Sequence, residues 1–220
     1  MELKHSYSAV KDYTGCRRRY HEVRILKKFK QGDTEATLYG TAVHKAFEDF
    51  VQRGIPLPPQ FERFSSYVEP LAGLGGTTLC EHKMGLRRDL SPCEFFAPDV
   101  WFRGIPDFLH LNEARTVARV ADYKTGKSAR FADPGQIALM AAMVMQHYPT
   151  VQKVKGMLMF VVAKQMIPCE FTRAELPDIL SKWAGEANMI EEQADTGVWN
   201  PTSGPLCRFC PVATCEYKRD

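Results

Sequence analysis

Two short segments decide the fold of this chain: GIPDF at residues 104–108 and VADYKTG at residues 120–126. Each places an aspartate, Asp107 or Asp122, in or beside a short apolar run that predicts a β-strand. Residues 112–115 between the two runs look like a hairpin turn. The two strands are therefore expected to be neighbours, with their two carboxylates facing one another.

The pair of aspartates predicts a metal site. An aspartate in an apolar strand is costly unless it is paired or binds a metal, and oxygen ligands suit a hard cation such as Mg²⁺ or Mn²⁺. Lys124 follows Asp122 by two positions, so the strand period puts both side chains on one face. A lysine there can position an attacking water and stabilise negative charge on a phosphate. A lone Asp-x-Lys pair is more commonly a surface ion pair, but the second aspartate, the hairpin and the Thr-Gly loop that follows favour a catalytic site.

The remaining pattern predicts an α/β fold, with a mixed β-sheet flanked by helices rather than a doubly wound parallel sheet. Helical periodicity covers residues 8–30, 37–53, 134–148 and 176–194, with Ser8 as a cap of the first helix. Strand-like runs cover residues 77–86, 95–106, 108–111, 116–123, 154–163 and 166–171. We expect one domain, residues 1–220, with a helical segment at about 1–55 and an irregular tail at about 196–220.

Composition excludes several protein classes. The chain has 45% hydrophobic and 25% charged residues, which is enough apolar surface for an ordinary core, so disorder is not expected. No apolar run is long enough to span a membrane, and the first ten residues lack the apolar stretch of a secretion signal. The net charge of +3 does not by itself indicate nucleic acid. Basic residues crowd the N-terminal segment, however, and form either a solvated helix face or a contact with phosphate.

Four of the seven cysteines predict a second metal centre. Cys207, Cys210 and Cys215 are close enough in sequence to converge on one centre, and Cys16 lies in a motif-like context that can supply a fourth thiolate. An all-cysteine shell suits zinc and an iron–sulfur cluster equally well. The other three are expected to be ordinary buried or partly buried thiols: Cys80, Cys93 and Cys169.

Taken together, these segments resemble the core motif of the PD-(D/E)XK nuclease superfamily, in its RecB-like branch. That branch has a G-hh-D strand followed by a D-h-K-T-G strand, and both are present here. Its helical Gly-x-x-hydrophobic-His motif is matched by residues 40–44, and its Gln-x-x-x-Tyr motif by residues 136–140, where Met140 replaces the tyrosine. One cysteine near the N-terminus and three near the C-terminus form the pattern of the iron–sulfur exonucleases of that branch, among them CRISPR-associated and AddB-type four-cysteine nucleases.

The resemblance implies a restriction-endonuclease-like core with a helical cap whose terminal segments are joined by a [4Fe–4S] cluster. The implied metal ligands are His44, Asp107, Asp122 and the backbone carbonyl of Tyr123. Lys124 would be the catalytic lysine and Gln136 an active-site contact, and Glu81 could line the same cleft or be an exposed strand residue. The implied cluster ligands are Cys16, Cys207, Cys210 and Cys215. Without the resemblance, a lone histidine such as His44 would be interpreted as a core residue.

The function that we expect is hydrolysis of DNA by an Mg²⁺- or Mn²⁺-dependent exonuclease that acts on single strands or DNA ends, with Arg17, Arg18 and Arg19 as DNA contacts. The alternative is a non-cutting protein that binds DNA ends or serves a helicase or integration complex. The intact Asp107, Asp122 and Lys124 argue against it. Because the chain lacks a GxxxxGK[ST] motif, any helicase partner is another chain. We expect a cytoplasmic location in a prokaryotic or phage-infected cell. The compact size would suit a stand-alone enzyme of phage type.

Overall fold

A computed structural model of the protein describes residues 3–219. Its strands are β1 (Thr77–Cys80), β2 (Met84–Leu86), β3 (Pro92–Cys93), β4 (Phe102–Gly104), β5 (Phe108–Leu111), β6 (Val117–Lys124), β7 (Lys153–Phe160) and β8 (Gln165–Thr172). The main sheet has the order β1-β5-β6-β7-β8, and a small sheet has the order β3-β2-β4. In the main sheet β6 and β7 are parallel while the other neighbours are antiparallel. The predicted mixed sheet is confirmed.

Helices cover both faces of the main sheet, as predicted. The α-helices are α1 (Tyr7–Gly15), α2 (Arg17–Tyr20), α3 (Glu35–Arg53), α4 (Ser65–Ala72), α5 (Gly135–His147) and α6 (Leu176–Thr196). Phe47 of α3 and Val68 of α4 share a core cluster with Tyr123 of β6, whereas α5 packs against the opposite face of β6 and β7. No helix within residues 3–219 is both long and apolar enough to cross a lipid bilayer.

The hairpin between β5 and β6 fixes the relative position of the two aspartates. The Asn112 Oδ1 accepts hydrogen bonds from the backbone N–H of Thr116 at 2.9 Å and of Val117 at 2.8 Å, which closes the turn. The register that follows pairs Phe108 with Ala121. Asp107 therefore lies at the level of Asp122, as the sequence pattern predicted.

Two predicted strands are shorter than expected. The run at residues 77–86 is interrupted at Glu81, whose φ of 50° is left-handed and turns the chain out of the main sheet. Its second part becomes β2 of the small sheet. The run at residues 95–106 is a strand only at Phe102–Gly104, because most of the residues before it form turns. The other predicted strands agree with the structure to within three residues at either end.

The chain divides into two compact units, which are described separately. One unit combines residues 1–34 with residues 181–220, and the other comprises residues 35–180. The N-terminal part that groups with the tail is therefore shorter than the expected segment of about 55 residues, since α3 packs on the main sheet. The organisation as a single functional domain stays a prediction.

The predicted first helix, residues 8–30, is wrong in its continuity. The helix α1 is capped by Ser6 rather than Ser8, because the Ser6 Oγ accepts a hydrogen bond from the backbone N–H of Ala9 at 3.2 Å. Cys16 then adopts an extended conformation and separates α1 from α2. Its Sγ accepts a hydrogen bond from the N–H of Arg19, so the cysteine itself caps the next helix. A short π-helical turn, His21–Ile25, follows α2.

We expect Phe47→Ala to lower the free energy of unfolding by about 3–5 kcal/mol. Phe47 has no exposed surface, and its ring packs edge-on against Phe64 and Tyr123, so truncation leaves a cavity beneath the main sheet. Leu38→Ala on the same helix is the matched control, because Leu38 is 59% exposed. Urea denaturation of both variants checks the prediction, and equal stability losses would contradict it.

Candidate active site

Asp107 connects three separate segments of the unit formed by residues 35–180. It lies directly before β5, and its Oδ2 accepts a hydrogen bond of 2.6 Å from the backbone N–H of Tyr123 on β6. Its Oδ1 lies 3.2 Å from the Nδ1 of His44 on α3. Its backbone carbonyl accepts a hydrogen bond of 3.2 Å from the N–H of Glu81, just after β1. The carboxylate is thereby held at one end of the sheet.

His44, Glu81 and Asp107 form a group that could hold a metal ion. One ligand atom from each residue lies within 4.8 Å of the others. Two carboxylates and an imidazole are a donor set that a divalent cation accepts. Glu81 was expected either to line this cleft or to be an exposed strand residue. In the structure it is exposed but lies in the turn after β1 and belongs to the group.

The electrostatics of this group reflect crowded negative charge. Desolvation by neighbouring atoms and the nearby charge of Asp107 raise the pKa of Glu81, although its side chain is exposed. Burial alone would lower the pKa of His44, but the hydrogen bond to Asp107 and the charges of Asp107 and Asp122 outweigh it, so the His44 pKa is raised. A hydrogen bond between His44 and the backbone of Tyr123 acts in the same direction. The residues are thus arranged to attract positive charge.

Asp122 and Lys124 lie on one face of β6, as the strand period predicted. The Lys124 Nζ is 2.6 Å from the Asp122 Oδ2 and donates a hydrogen bond of 2.9 Å to the Gln136 Oε1. The Gln136 amide in turn donates to the Asp122 Oδ1. Gln136 comes from the first turn of α5, so the loop after β6 returns to complete a closed triangle of polar side chains.

Burial is the main cause of the raised pKa of Asp122. Desolvation and the neighbouring charge of Asp107 raise its pKa to about 6, although the ammonium group of Lys124 opposes the shift. Asp122 is not part of the group formed by His44, Glu81 and Asp107. Its role as a metal ligand therefore stays a prediction, as does that of the Tyr123 carbonyl.

Met140, which stands where the family pattern has a tyrosine, is a core residue here. It is buried, and a Cβ added at Gly104 would lie 2.6 Å from its methyl carbon. Gly104 therefore leaves the space that Met140 and its neighbour Met143 fill. The structure gives position 140 a packing role beneath the GIPD segment.

The four cysteines expected to bind a cluster line one cavity in the other unit, residues 3–34 with 181–219. The cavity has a volume of about 490 Å³ and is lined by Cys16, Cys207, Cys210 and Cys215. The Cys16 Sγ accepts hydrogen bonds from the backbone N–H of Arg19 and of Thr202, and the Cys207 Sγ accepts one from Gly204. Cys80, Cys93 and Cys169 are buried or half-buried thiols, as predicted.

The three consecutive arginines of the same unit differ in their surroundings. Arg18 pairs with Glu22 at 3.2 Å, and Arg19 forms an ion pair with Asp12. Arg17 is exposed, and its guanidinium carbon lies 5.5 Å from the centroid of the Tyr13 ring. The structure thus leaves Arg17 as the most accessible of the three predicted DNA contacts.

Comparisons with known proteins agree with this fold. A search of curated proteins finds no match. A candidate exonuclease from Eubacterium rectale has a similar solved structure, with a TM-score of 0.57 and 15% identity over 97% of this chain and 89% of that one. The crystal structure of SSO0001 is also similar, with a TM-score of 0.52 and 13% identity over 100% of this chain and 89% of the other. At such low identity these likenesses show the fold alone.

A match to the sequence model of one family shows which family the chain belongs to. It describes the PD-(D/E)XK nuclease superfamily and matches residues 4–73 and 61–215, a span that contains the acidic group, the Asp122–Lys124 pair and the four-cysteine cavity. The chain belongs to the PD-(D/E)XK nuclease superfamily.

Proposed function

We propose that the protein is a DNA exonuclease that depends on Mg²⁺ or Mn²⁺ and acts on single strands or DNA ends. The observation that carries the proposal is the position of the acidic group next to the triangle of Asp122, Lys124 and Gln136. Asp107 of the acidic group accepts a hydrogen bond from the N–H of Tyr123, the residue between Asp122 and Lys124, so the two sets of side chains are neighbours. The exonuclease mode is proposed by analogy with the candidate exonuclease from Eubacterium rectale, whose fold is similar.

His44, Glu81 and Asp107 would hold the cation, with Asp122 and the Tyr123 carbonyl as further ligands. The fit is supported by the donor set and by the buried Asp122, whose Oδ2 already lies 2.6 Å from a positive charge, the Lys124 ammonium group. When bound, a divalent cation supplies Lewis-acid stabilisation of the negative charge that develops on the phosphate.

Lys124 would act as the positioned cation beside the scissile phosphate. An ammonium group has three donors, and in this structure it meets Asp122 and Gln136 while leaving one donor for a substrate oxygen or the attacking water. The two contacts fix the long side chain, so little reorganisation is needed when the substrate binds. Gln136 would act by positioning Lys124 and Asp122.

A comparison of linear and circular DNA tests the proposal. Linear single strands labelled at either end, closed circular single strands and linear duplexes are incubated with the protein, with Mn²⁺, Mg²⁺ or a chelator. We expect linear single strands to be shortened only with metal, and circles to survive. Cleavage of circles would show an endonuclease, whereas binding of ends without any cutting would favour the non-cutting accessory protein. An inactive Asp122→Ala variant that remains folded is the control for a contaminating nuclease.

We also propose that Cys16, Cys207, Cys210 and Cys215 hold a [4Fe–4S] cluster of structural role. The fit is supported by the shared cavity and by the backbone N–H groups that point at the Cys16 and Cys207 sulfurs, since such donors stabilise thiolates. Because Cys16 lies far in sequence from the other three cysteines, a centre that joins them would restrict the unfolded chain in the manner of a long-range cross-link.

The preference for a [4Fe–4S] cluster over zinc rests on the resemblance to the four-cysteine nucleases, because an all-cysteine shell suits either centre. A helicase or integration partner and a cytoplasmic location stay predictions from the sequence.

Glu81→Gln should weaken the binding of Mn²⁺, because it removes one of two carboxylates from the acidic group. Isothermal titration calorimetry measures the affinity, and Glu69→Gln, which alters an exposed carboxylate on α4, is the matched control. Unchanged affinity in Glu81→Gln would remove Glu81 from the site and return the ligand role to Asp122.

Lys124→Ala should keep Mn²⁺ affinity but lose about 10²–10³ in the rate of cleavage, the size of effect expected when a preorganised charge at the reacting phosphate is removed. Single-turnover cleavage is compared with that of Lys155→Ala, which removes an exposed lysine from β7. A variant that lost metal affinity at an unchanged maximal rate would contradict the role of Lys124.

Cys16→Ala should give a colourless protein of lower stability, whereas Cys169→Ala should keep the colour and most of the stability. Protein purified without oxygen is analysed for iron and zinc and by its visible absorption, with about four irons per chain expected. One zinc and no iron would replace the cluster by zinc. Neither metal, with Cys16 reactive toward a thiol probe in the folded protein, would refute a centre of either kind.

Arg17→Gln should weaken DNA binding and reduce the slope of log K against log salt by about one unit, as expected for one lost phosphate contact. Binding is measured in chelator over a range of salt concentrations. Arg53→Gln, which changes an exposed arginine paired with Asp49 on α3, serves as the control. An unchanged affinity and slope in Arg17→Gln would make the N-terminal basic run a solvated helix face.

A further inference from the structure

The small sheet carries a cluster of aromatic and cationic side chains that the proposed active site does not use. Its strands β2 and β4 are antiparallel, and their register pairs Gly85 with Arg103. Met84 and Phe102 are buried, and both strands pack against α5. Arg103, which alternates with these buried neighbours along β4, therefore lies on the outer face of the small sheet.

The loop after β3 crosses this outer face. A Cβ added at Gly85 would lie 2.9 Å from the backbone oxygen of Glu94 and 2.9 Å from a methyl carbon of Val100, so only glycine leaves room for the crossing chain. The crossing places Phe95 and Phe96 beside Arg103, with their two rings edge-on and 4.9 Å apart between centroids.

Two cations surround these rings. The guanidinium carbon of Arg103 lies 4.9 Å from the centroid of Phe95 and 5.6 Å from that of Phe96. The ammonium group of Lys83 lies 5.2 Å from the centroid of Phe96. We name Lys83, Phe95, Phe96 and Arg103 the aromatic–cationic patch.

The protein itself leaves part of the patch exposed and without hydrogen-bond or ion-pair partners among the described residues. Phe96, in the turn after β3, is 70% exposed. The Arg103 Nε is buried and has no hydrogen-bond partner within the described residues. Among residues 3–219, no carboxylate lies within ion-pairing distance of Lys83 or Arg103. An exposed ring between unpaired cations suits a ligand that offers both a flat apolar face and negative charge.

The patch is joined to the acidic group through the chain at both ends. Lys83 follows Glu81 by two residues, and Arg103 precedes Asp107 by four. Two residues of extended chain span at most about 7 Å. The Cα atoms of Lys83 and Glu81 are therefore no farther apart than this, so the patch begins close to the acidic group.

We propose that the aromatic–cationic patch binds single-stranded DNA, with a base stacked on Phe96 and the adjoining phosphates held by Lys83 and Arg103. The proposal rests on the proposed nuclease function and specifies its substrate class. In a duplex each base face is covered by its neighbours in the stack, so a stacking surface selects an unpaired strand. Because every base has such a face, the patch would not depend on base sequence.

Binding of two oligonucleotides of equal charge tests the patch. One is a labelled single strand of thymidines, and the other has the same length and phosphates but abasic sites in place of the bases. Affinities are measured by fluorescence anisotropy in chelator, so that no cleavage occurs. We expect the wild-type protein to bind the thymidine strand more tightly, and Phe96→Ala to lose about five-fold or more in affinity for that strand only.

Two further variants separate stacking from a loss of structure. Phe96→Trp should restore the preference for bases, since it keeps an aromatic face. Met166→Ala, which removes a 46% exposed apolar side chain from β8, should bind as the wild type does. Equal affinity of wild type and Phe96→Ala for the thymidine strand, or equal losses on both strands, would overturn the proposal.

The outcomes also separate this proposal from the nuclease function. If the protein cuts DNA but does not distinguish the thymidine strand from the abasic strand, the patch fails and the nuclease stands. If it never cuts DNA yet shows the Phe96-dependent preference, the patch stands as a binding site for single strands in a non-cutting protein.

Discussion

The contacts of Asp107 are the constraint on which the site depends. One carboxylate and its own backbone carbonyl meet the N–H of Tyr123, the imidazole of His44 and the N–H of Glu81. These three partners come from a central strand, a helix and the turn after an edge strand. Charged hydrogen bonds in a partly buried site are strong and directional, so this single residue fixes where three elements meet. The helix α3 carries His44 on the same side as Phe47, and its packing in the core holds the imidazole in place.

Local sequence patterns were sufficient to predict the strand residues of the site. The hairpin between β5 and β6 is closed by Asn112 over a few residues, so the alignment of Asp107 with Asp122 depends only on nearby chain. The alternation of side chains along β6 likewise put Lys124 beside Asp122. The motif resemblance added His44 and Gln136, which come from helices. In the structure, each of these side chains contacts a site residue on or beside a strand of the main sheet.

Glu81 could not be predicted in the same way. Its position depends on the long-range register of β1 on β5, which pairs Cys80 with Phe108, and on a left-handed backbone conformation at Glu81 itself. Neither leaves a periodic signal in the sequence, because the run continues in strand-like composition beyond residue 81. The break at Cys16 was missed for a related reason: a cysteine that caps a helix through its sulfur is indistinguishable by periodicity from one inside the helix.

The distribution of the two sites along the chain has a consequence for biosynthesis. Every residue of the acidic group and of the Asp122–Lys124–Gln136 triangle lies between residues 44 and 136, and the main sheet is complete at Thr172. The cavity of the four cysteines needs residues 207–215, which the ribosome adds long after the last strand. All strands of the main sheet therefore leave the ribosome before the cavity is complete, so a cofactor that needs all four cysteines would be loaded only after the residues of the sheet have been synthesised.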